Sequence, residues 1–118
     1  MNAQNSDITI YHNPKCSKSR QTLELIQEKS PTVIEYLKTP PTPEQLDQIL
    51  NMLGLQPREL MRKGEQAYAD NNLNDESLSR DALIRIMTEN PILIERPIVI
   101  ANNRAKIGRP PESVLEIL

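Results

Sequence analysis

The chain contains a single cysteine, Cys16, in a setting that favours thiolate chemistry. It follows a strand-like apolar segment at residues 8–12 and an Asn13-Pro14 turn signal, and the pattern becomes helical from Ser17. Unpaired N–H groups at a helix start attract negative charge, either a thiolate or a bound oxyanion. Such a position lowers the pKa of a thiol by up to several units from its ordinary value of about 8.5. We therefore predict an ionised, solvent-exposed nucleophile.

The residues around Cys16 support this interpretation. Lys15, Lys18 and Arg20 add positive charge close to it along the chain. The competing interpretation is a buried structural cysteine, the usual fate of a free cysteine. The preceding Asn-Pro and the polar, basic helix start favour the nucleophile.

A single cysteine also limits the chemistry. It closes no internal disulfide, and one cysteine with one histidine does not complete a zinc site, so we expect no metal. Ser19 stands three residues after Cys16, where a Cys-x-x-Cys oxidoreductase carries its second cysteine. An external thiol is therefore needed to complete a redox cycle.

Composition and charge argue against several function classes. The 118 residues carry a formal net charge of -2, so we expect no bulk attraction to nucleic acid or to an anionic membrane. No apolar run approaches the roughly 20 residues that cross a bilayer. Residues 1–7 lack the basic-then-apolar pattern of a signal peptide, so we expect a cytoplasmic protein.

The first part of the chain predicts a β-α-β unit. A strand at 8–12 leads into a helix that begins at Ser17, and a second strand covers 33–37. The helix carries apolar residues at helical spacing, namely Leu23, Leu25 and Ile26.

The middle of the chain predicts helices. Thr42 caps a helix with buried positions at i, i+3, i+4 and i+7, and Gly54 ends it. A short helical turn covers 57–63, and a polar stretch continues to residue 74. Ser79 caps the next helix, which stops before Asn90.

The last part predicts a β-β-α unit. A strand at 98–101 turns at Asn102-Asn103, a pair that tolerates positive φ, into a return strand at 104–108. A final helix covers 112–118, with Val114, Leu115 and Leu118 as its apolar residues. The order β-α-β … β-β-α predicts an α/β thioredoxin-like fold with a mixed four-stranded sheet. We expect one domain, residues 1–118, with a helical insertion at approximately 42–91.

Four separated segments, in order, resemble one protein family. Residues 11–20 resemble the N-P-x-C-x-x-S-R signature of the glutaredoxin-coupled arsenate reductases, the ArsC family. The segments at 59–63, 95–99 and 107–112 match as well, so the similarity covers nearly the whole chain. The chain is most similar to the short, little characterised branch of that family.

The resemblance implies a role for each matching residue. The nucleophile falls on Cys16, the histidine near it on His12, and Ser19 and Arg20 close the loop. Pro97 falls on a cis proline beside the nucleophile. The three oxyanion-binding arginines fall on Arg62, Arg96 and Arg109.

The implied activity is reduction of arsenate to arsenite, with glutathione as co-substrate and glutaredoxin as partner. No bound cofactor is implied, and a monomer is the default. Ser17-Lys18 departs from the Gly-Thr common in the family, which leaves the physiological substrate open.

Two other functions stay open. One is a glutathione-dependent monothiol oxidoreductase with another substrate, its arginines gripping a glutathione carboxylate. The other is a regulator that binds RNA polymerase, as Spx-type proteins of similar fold do. Spx-type redox switches usually carry a Cys-x-x-Cys motif. Ser19 stands at the position of its second cysteine and argues against a redox switch of that type.

Overall fold

The computed structural model describes residues 8–118, so the segment at 1–7 used for the signal-peptide prediction lies outside the described residues. The chain divides into two compact units. The first comprises the described residues up to 39 and residues 96–118, and the second is Pro40–Glu95. That the whole chain forms one domain stays a prediction.

The first unit is built on a four-stranded mixed sheet, as predicted. Its strands are β1 (Thr9–His12), β2 (Thr32–Glu35), β3 (Ile98–Ala101) and β4 (Arg104–Ile107), in the order β2-β1-β3-β4. β1 pairs with β2 in parallel and with β3 antiparallel, and β3 pairs with β4 antiparallel. The β-α-β and β-β-α halves of a thioredoxin-like fold are thus confirmed.

Helix α1 (Ser17–Ile26) and a C-terminal 3₁₀ helix (Pro111–Ile117) pack with the sheet around one apolar core. The core joins residues of β1 and β3 to both helices: Ile8, Ile10, Ile26, Val99, Ala101, Val114 and Ile117. Of the apolar residues noted in these two helices, Leu25 and Leu115 are exposed. In a 3₁₀ helix three residues make one turn, so Pro111, Val114 and Ile117 line up on one side while Leu115 faces out.

The second unit is helical. It contains α2 (Pro43–Leu53), α3 (Gln66–Asp70) and α4 (Arg80–Glu89), with 3₁₀ turns at Pro57–Leu60 and Pro91–Leu93. The sequence missed α3, whose five residues fall in the stretch predicted to be only polar. Its single buried residue is Tyr68, which leaves too little apolar pattern for a sequence-based prediction.

The helix caps of this unit were predicted correctly. The Thr42 hydroxyl accepts from the Gln45 N–H and the Gln45 side chain accepts from the Thr42 N–H, a capping box at the start of α2. The Ser79 hydroxyl accepts from the Ala82 N–H at the start of α4. Gly54 ends α2 in the left-handed conformation, with φ at 70°.

The hairpin between β3 and β4 was also predicted correctly. Asn102 and Asn103 have φ values of 55° and 60°, as a tight turn with two left-handed residues requires. Among residues 8–118 no helix is long and apolar enough to cross a membrane.

We expect Gly54→Ala to lower the free energy of unfolding by about 1 kcal/mol, because a Cβ disfavours the left-handed conformation. A Cβ on Gly54 would meet no atom within 4 Å, so crowding contributes nothing. Gly64→Ala is the matched control, since that position also has open space but no positive φ. Urea denaturation should show a change within about 0.5 kcal/mol for Gly64→Ala, and an equal loss in both variants would contradict the prediction.

Candidate active site

A tight turn delivers Cys16 from β1 to the start of α1. The Cys16 N–H donates to the Asn13 carbonyl at 3.0 Å, with Pro14 at the second position of the turn. The Asn13 side chain accepts from the Lys15 N–H at 3.0 Å and stiffens the turn. The Cys16 carbonyl then accepts the first helical hydrogen bond, from the Arg20 N–H. Cys16 is therefore the N-cap residue of α1, as the sequence predicted.

The surroundings of the sulfur favour its ionised form. Burial by itself raises the pKa of the Cys16 thiol, but the backbone N–H of Ser19, the Arg96 guanidinium and the N–H of Lys18 together bring that pKa below its ordinary value. Unpaired amides at a helix start and a nearby cation act in the same direction on a thiol. The cation beside the sulfur comes from Arg96, which lies far along the sequence.

The predicted exposure of Cys16 is wrong. The residue is only 9 % exposed. Polar donors account for part of this low exposure, because the N–H groups of Ser19 and Lys18 and the Arg96 guanidinium act directly on the sulfur. The nucleophile is thus covered on one side by groups that also stabilise its charge.

A buried polar pair lies under the turn. His12 Nδ1 and Ser19 Oγ are 2.6 Å apart, and Ser19 Oγ also accepts from the Asn13 N–H at 3.0 Å. Ser19 is fully buried and His12 is 6 % exposed. The Ser19 hydroxyl therefore connects the end of β1, the nucleophile turn and α1 in one hydrogen-bonded unit.

Burial favours the neutral form of the His12 imidazole. Burial lowers the pKa of His12 below its ordinary value, Glu35 opposes that shift, and Arg20 adds to it. Glu35 is the parallel partner of His12 between β1 and β2. The Arg20 guanidinium also donates to the Pro14 carbonyl at 2.9 Å and so ties α1 back to the turn.

Arg96 and Arg109 lie side by side in the first unit. Arg109 Nε donates to the Arg96 carbonyl at 3.0 Å, and the Gly108 N–H donates to the Pro97 carbonyl at 2.9 Å. The Arg96-Pro97 peptide bond is cis, as the resemblance implies, and so is the Arg109-Pro110 bond, which was not predicted. The structure thus brings Arg96 to Cys16 and Arg109 to the backbone of Arg96, and the approach of Arg109 to the sulfur stays a prediction.

Gly108 and Thr22, which were not predicted as site residues, pack this arrangement. A Cβ on Gly108 would lie 2.5 Å from Thr22 Oγ1 and 2.8 Å from Pro97 Cγ. The buried Thr22 hydroxyl in turn donates to the Lys18 carbonyl at 2.8 Å. Only glycine fits between α1 and the Arg96-Pro97 segment, and no sequence signal showed this close approach.

Arg62 belongs to the second unit, where two carboxylates hold it. Its guanidinium is 2.6 Å from Glu65 Oε2 and 3.8 Å from Glu95 Oε1, and its backbone N–H donates to the Leu93 carbonyl. Its approach to Cys16 stays a prediction from the resemblance. Among the described residues, no group of three or more His, Cys, Asp or Glu side chains is placed to hold a metal ion.

A family model decides the relationship of this chain to known proteins: the model of the ArsC family matches residues 11–117. The chain belongs to the ArsC family. The uncharacterized protein YfgD of Escherichia coli strain K12 is 54 % identical over 94 % of this chain and 96 % of its own length. The arsenate reductase of the same strain is 45 % identical over 96 % of this chain and 82 % of its own length.

Solved structures of the ArsC family agree with the fold. The arsenate reductase from Vibrio cholerae superimposes with a TM-score of 0.90 at 54 % identity, covering 94 % of this chain and 97 % of the other. The recognition of the family from four short segments and the thioredoxin-like fold are both confirmed.

We expect Arg96→Ala to raise the pKa of the Cys16 thiol, because it removes the cation that acts on the sulfur. The rate of iodoacetamide alkylation across pH measures this, and its midpoint should move to higher pH. Arg104→Ala, an exposed arginine on β4, is the matched control. An unchanged midpoint in Arg96→Ala would contradict the electrostatic account.

We expect Gly108→Ala to cost about 1–3 kcal/mol of unfolding free energy, because its Cβ overlaps Thr22 and Pro97. Urea denaturation of Gly108→Ala, Thr22→Ala and the double variant tests the cause. If crowding is responsible, the double variant is more stable than the sum of the two single effects. If the losses of unfolding free energy in the two single variants simply add up in the double variant, crowding against Thr22 is not the cause of the loss in Gly108→Ala.

Proposed function

We propose that this protein is an arsenate reductase whose nucleophile is Cys16 and whose electrons come from glutathione and glutaredoxin. The observation that carries the proposal is a thiol with a lowered pKa, at the family's signature position, next to helix-start amides and Arg96. The similarity to arsenate reductases of Escherichia coli and Vibrio cholerae supports the same substrate.

Arsenate is a tetrahedral oxyanion of the size of phosphate, and we assign its binding to arginines and backbone amides. Guanidinium groups offer forked donors that stay charged, which suits such an oxyanion better than lysine does. Arg96 and Arg109 are joined by the hydrogen bond from Arg109 Nε to the Arg96 carbonyl. The amides of Lys18 and Ser19 add donors at the helix start, and Arg62 is the proposed third arginine.

The first step is attack of the Cys16 thiolate on arsenic. A sulfur–arsenic bond forms, one hydroxyl leaves as water after taking a proton, and arsenic stays As(V). Glutathione then attacks the Cys16 sulfur, and the electron pair of the sulfur–arsenic bond stays on arsenic, which leaves as arsenite. Glutaredoxin resolves the resulting mixed disulfide. In total two thiols and one arsenate give one disulfide, one arsenite and one water.

We assign supporting roles to the residues under the turn. Neutral His12 and buried Ser19 hold the turn through the 2.6 Å contact between Nδ1 and Oγ. Arg20 fixes the turn from the other side through the Pro14 carbonyl. Pro97 lies against Gly108 and fixes the segment that presents Arg96.

We also propose an oligomeric state and a cellular location for the enzyme. It acts as a monomer without a resident cofactor. The glutathione pool that the reaction needs keeps cytoplasmic thiols reduced, which supports a cytoplasmic location.

We expect arsenate-dependent NADPH oxidation in the presence of glutathione, glutaredoxin and glutathione reductase, and its loss in Cys16→Ser. A serine hydroxyl does not ionise near neutral pH, so no attack on arsenic takes place. Omitting glutaredoxin should also slow turnover strongly, because the mixed disulfide then accumulates. Mass spectrometry of the stalled enzyme should show one glutathione per chain on Cys16.

Ser17→Ala is the matched control for Cys16→Ser, since Ser17 is exposed at the start of α1 and its side chain has no assigned role. Absence of arsenate-dependent oxidation in the wild type would overturn the proposal. Retained exchange with a glutathionylated peptide would then assign the protein to the monothiol oxidoreductases.

A further inference from the structure

A cavity adjoins the nucleophile turn in the first unit. It has a volume of about 230 Å³ and is lined by His12, Asn13, Pro14, Lys15, Glu35, Leu37 and Lys38. One wall is the turn that carries Cys16, and the other is the segment that follows β2. The Lys38 and Thr39 N–H groups both donate to the Glu35 carbonyl at 2.9 Å, so this second wall is a fixed turn.

The cavity does not share the groups assigned to the oxyanion. Its lining lacks Lys18, Ser19, Arg96 and Arg109. It still lies next to the nucleophile, because Asn13 in its wall accepts the hydrogen bond from the Cys16 N–H.

The cavity surface is mostly apolar with charged residues in its lining, a combination that fits one kind of small thiol. Lys15 and Lys38 supply two cations and Glu35 one carboxylate, while Pro14 and the exposed Leu37 supply apolar surface. Glutathione carries two carboxylates, one ammonium and short methylene segments. The Lys38–Glu35 contact of 3.4 Å joins two solvated side chains, so a ligand displaces it at little cost.

We infer that this cavity binds glutathione, with Lys15 and Lys38 pairing with its carboxylates and Glu35 with its ammonium. The inference rests on the proposed function, because a chain with one cysteine requires an outside thiol to reduce its substrate. Ligand pockets for drug-sized molecules span about 300–1,000 Å³, so this smaller cavity holds part of the tripeptide. The cysteinyl arm then extends toward Cys16.

Binding is tested without turnover, using S-methylglutathione, which cannot react. Titration followed by amide NMR shifts should perturb residues of both walls, including Lys15 and Leu37. The double variant Lys15→Gln/Lys38→Gln should weaken Kd by roughly tenfold, because two solvated ion pairs are lost. Lys29→Gln/Lys63→Gln, which removes the same charge from exposed lysines elsewhere, should leave Kd unchanged.

The same variants separate this inference from the proposed function in the coupled assay. Lys15→Gln/Lys38→Gln should raise the KM for glutathione by roughly tenfold and leave the KM for arsenate unchanged. With uncharged 2-mercaptoethanol as the thiol, the variant and the wild type should react equally fast. Equal Kd values in all variants, or shifts confined to other surfaces, would overturn the glutathione site even if arsenate is reduced. Lysine-dependent binding in a wild type that does not reduce arsenate would uphold the site and overturn the proposed function.

Discussion

The candidate site depends on donors that favour the ionised form of a sulfur mostly removed from water. Burial by itself opposes ionisation of Cys16, and three donors reverse that effect: the amides of Ser19 and Lys18 and the guanidinium of Arg96. Two of these donors come from the start of α1 and need only the local turn. The third requires the β3 side of the sheet to be in place, so the charge depends on tertiary structure.

This requirement explains the close packing around the turn. Ser19 connects His12 to Asn13, Arg20 returns to Pro14, and Gly108 allows α1 to approach Pro97. Each of these contacts fixes an atom of the turn, of α1 or of Pro97, which directly follows Arg96. A displacement at any of them would change the distance between the sulfur and the donors that stabilise its charge.

The turns and helix caps could be predicted from the sequence because each depends on local interactions. The Asn13-Pro14 turn, the caps at Thr42 and Ser79, and the Asn102-Asn103 hairpin each depend on a few neighbouring residues, and all four are present. The faces of short helices were less predictable, because a 3₁₀ helix turns every three residues and moves Leu115 to the surface. The small helix α3 buries one side chain and so leaves little periodic signal.

Within the candidate site, the identity of the nucleophile was predictable but its surroundings were not. Lys15 and Lys18 are the cations nearest to Cys16 in the sequence, whereas the cation that acts on the sulfur is Arg96. No spacing along a chain shows which residues of β1 and β3 will meet. The importance of Gly108 was hidden for the same reason, since its partners Thr22 and Pro97 belong to separate segments.

The low accessibility of Cys16 limits which reactants can reach its sulfur directly. With 9 % of its surface open, the residue admits a small anion or a slender peptide more easily than the rigid face of another protein. A macromolecular reductant would then be kept at a distance, and a small intermediary would have to carry the oxidising equivalent outward. Steric screening of this kind also protects a reactive sulfur from indiscriminate coupling to other proteins.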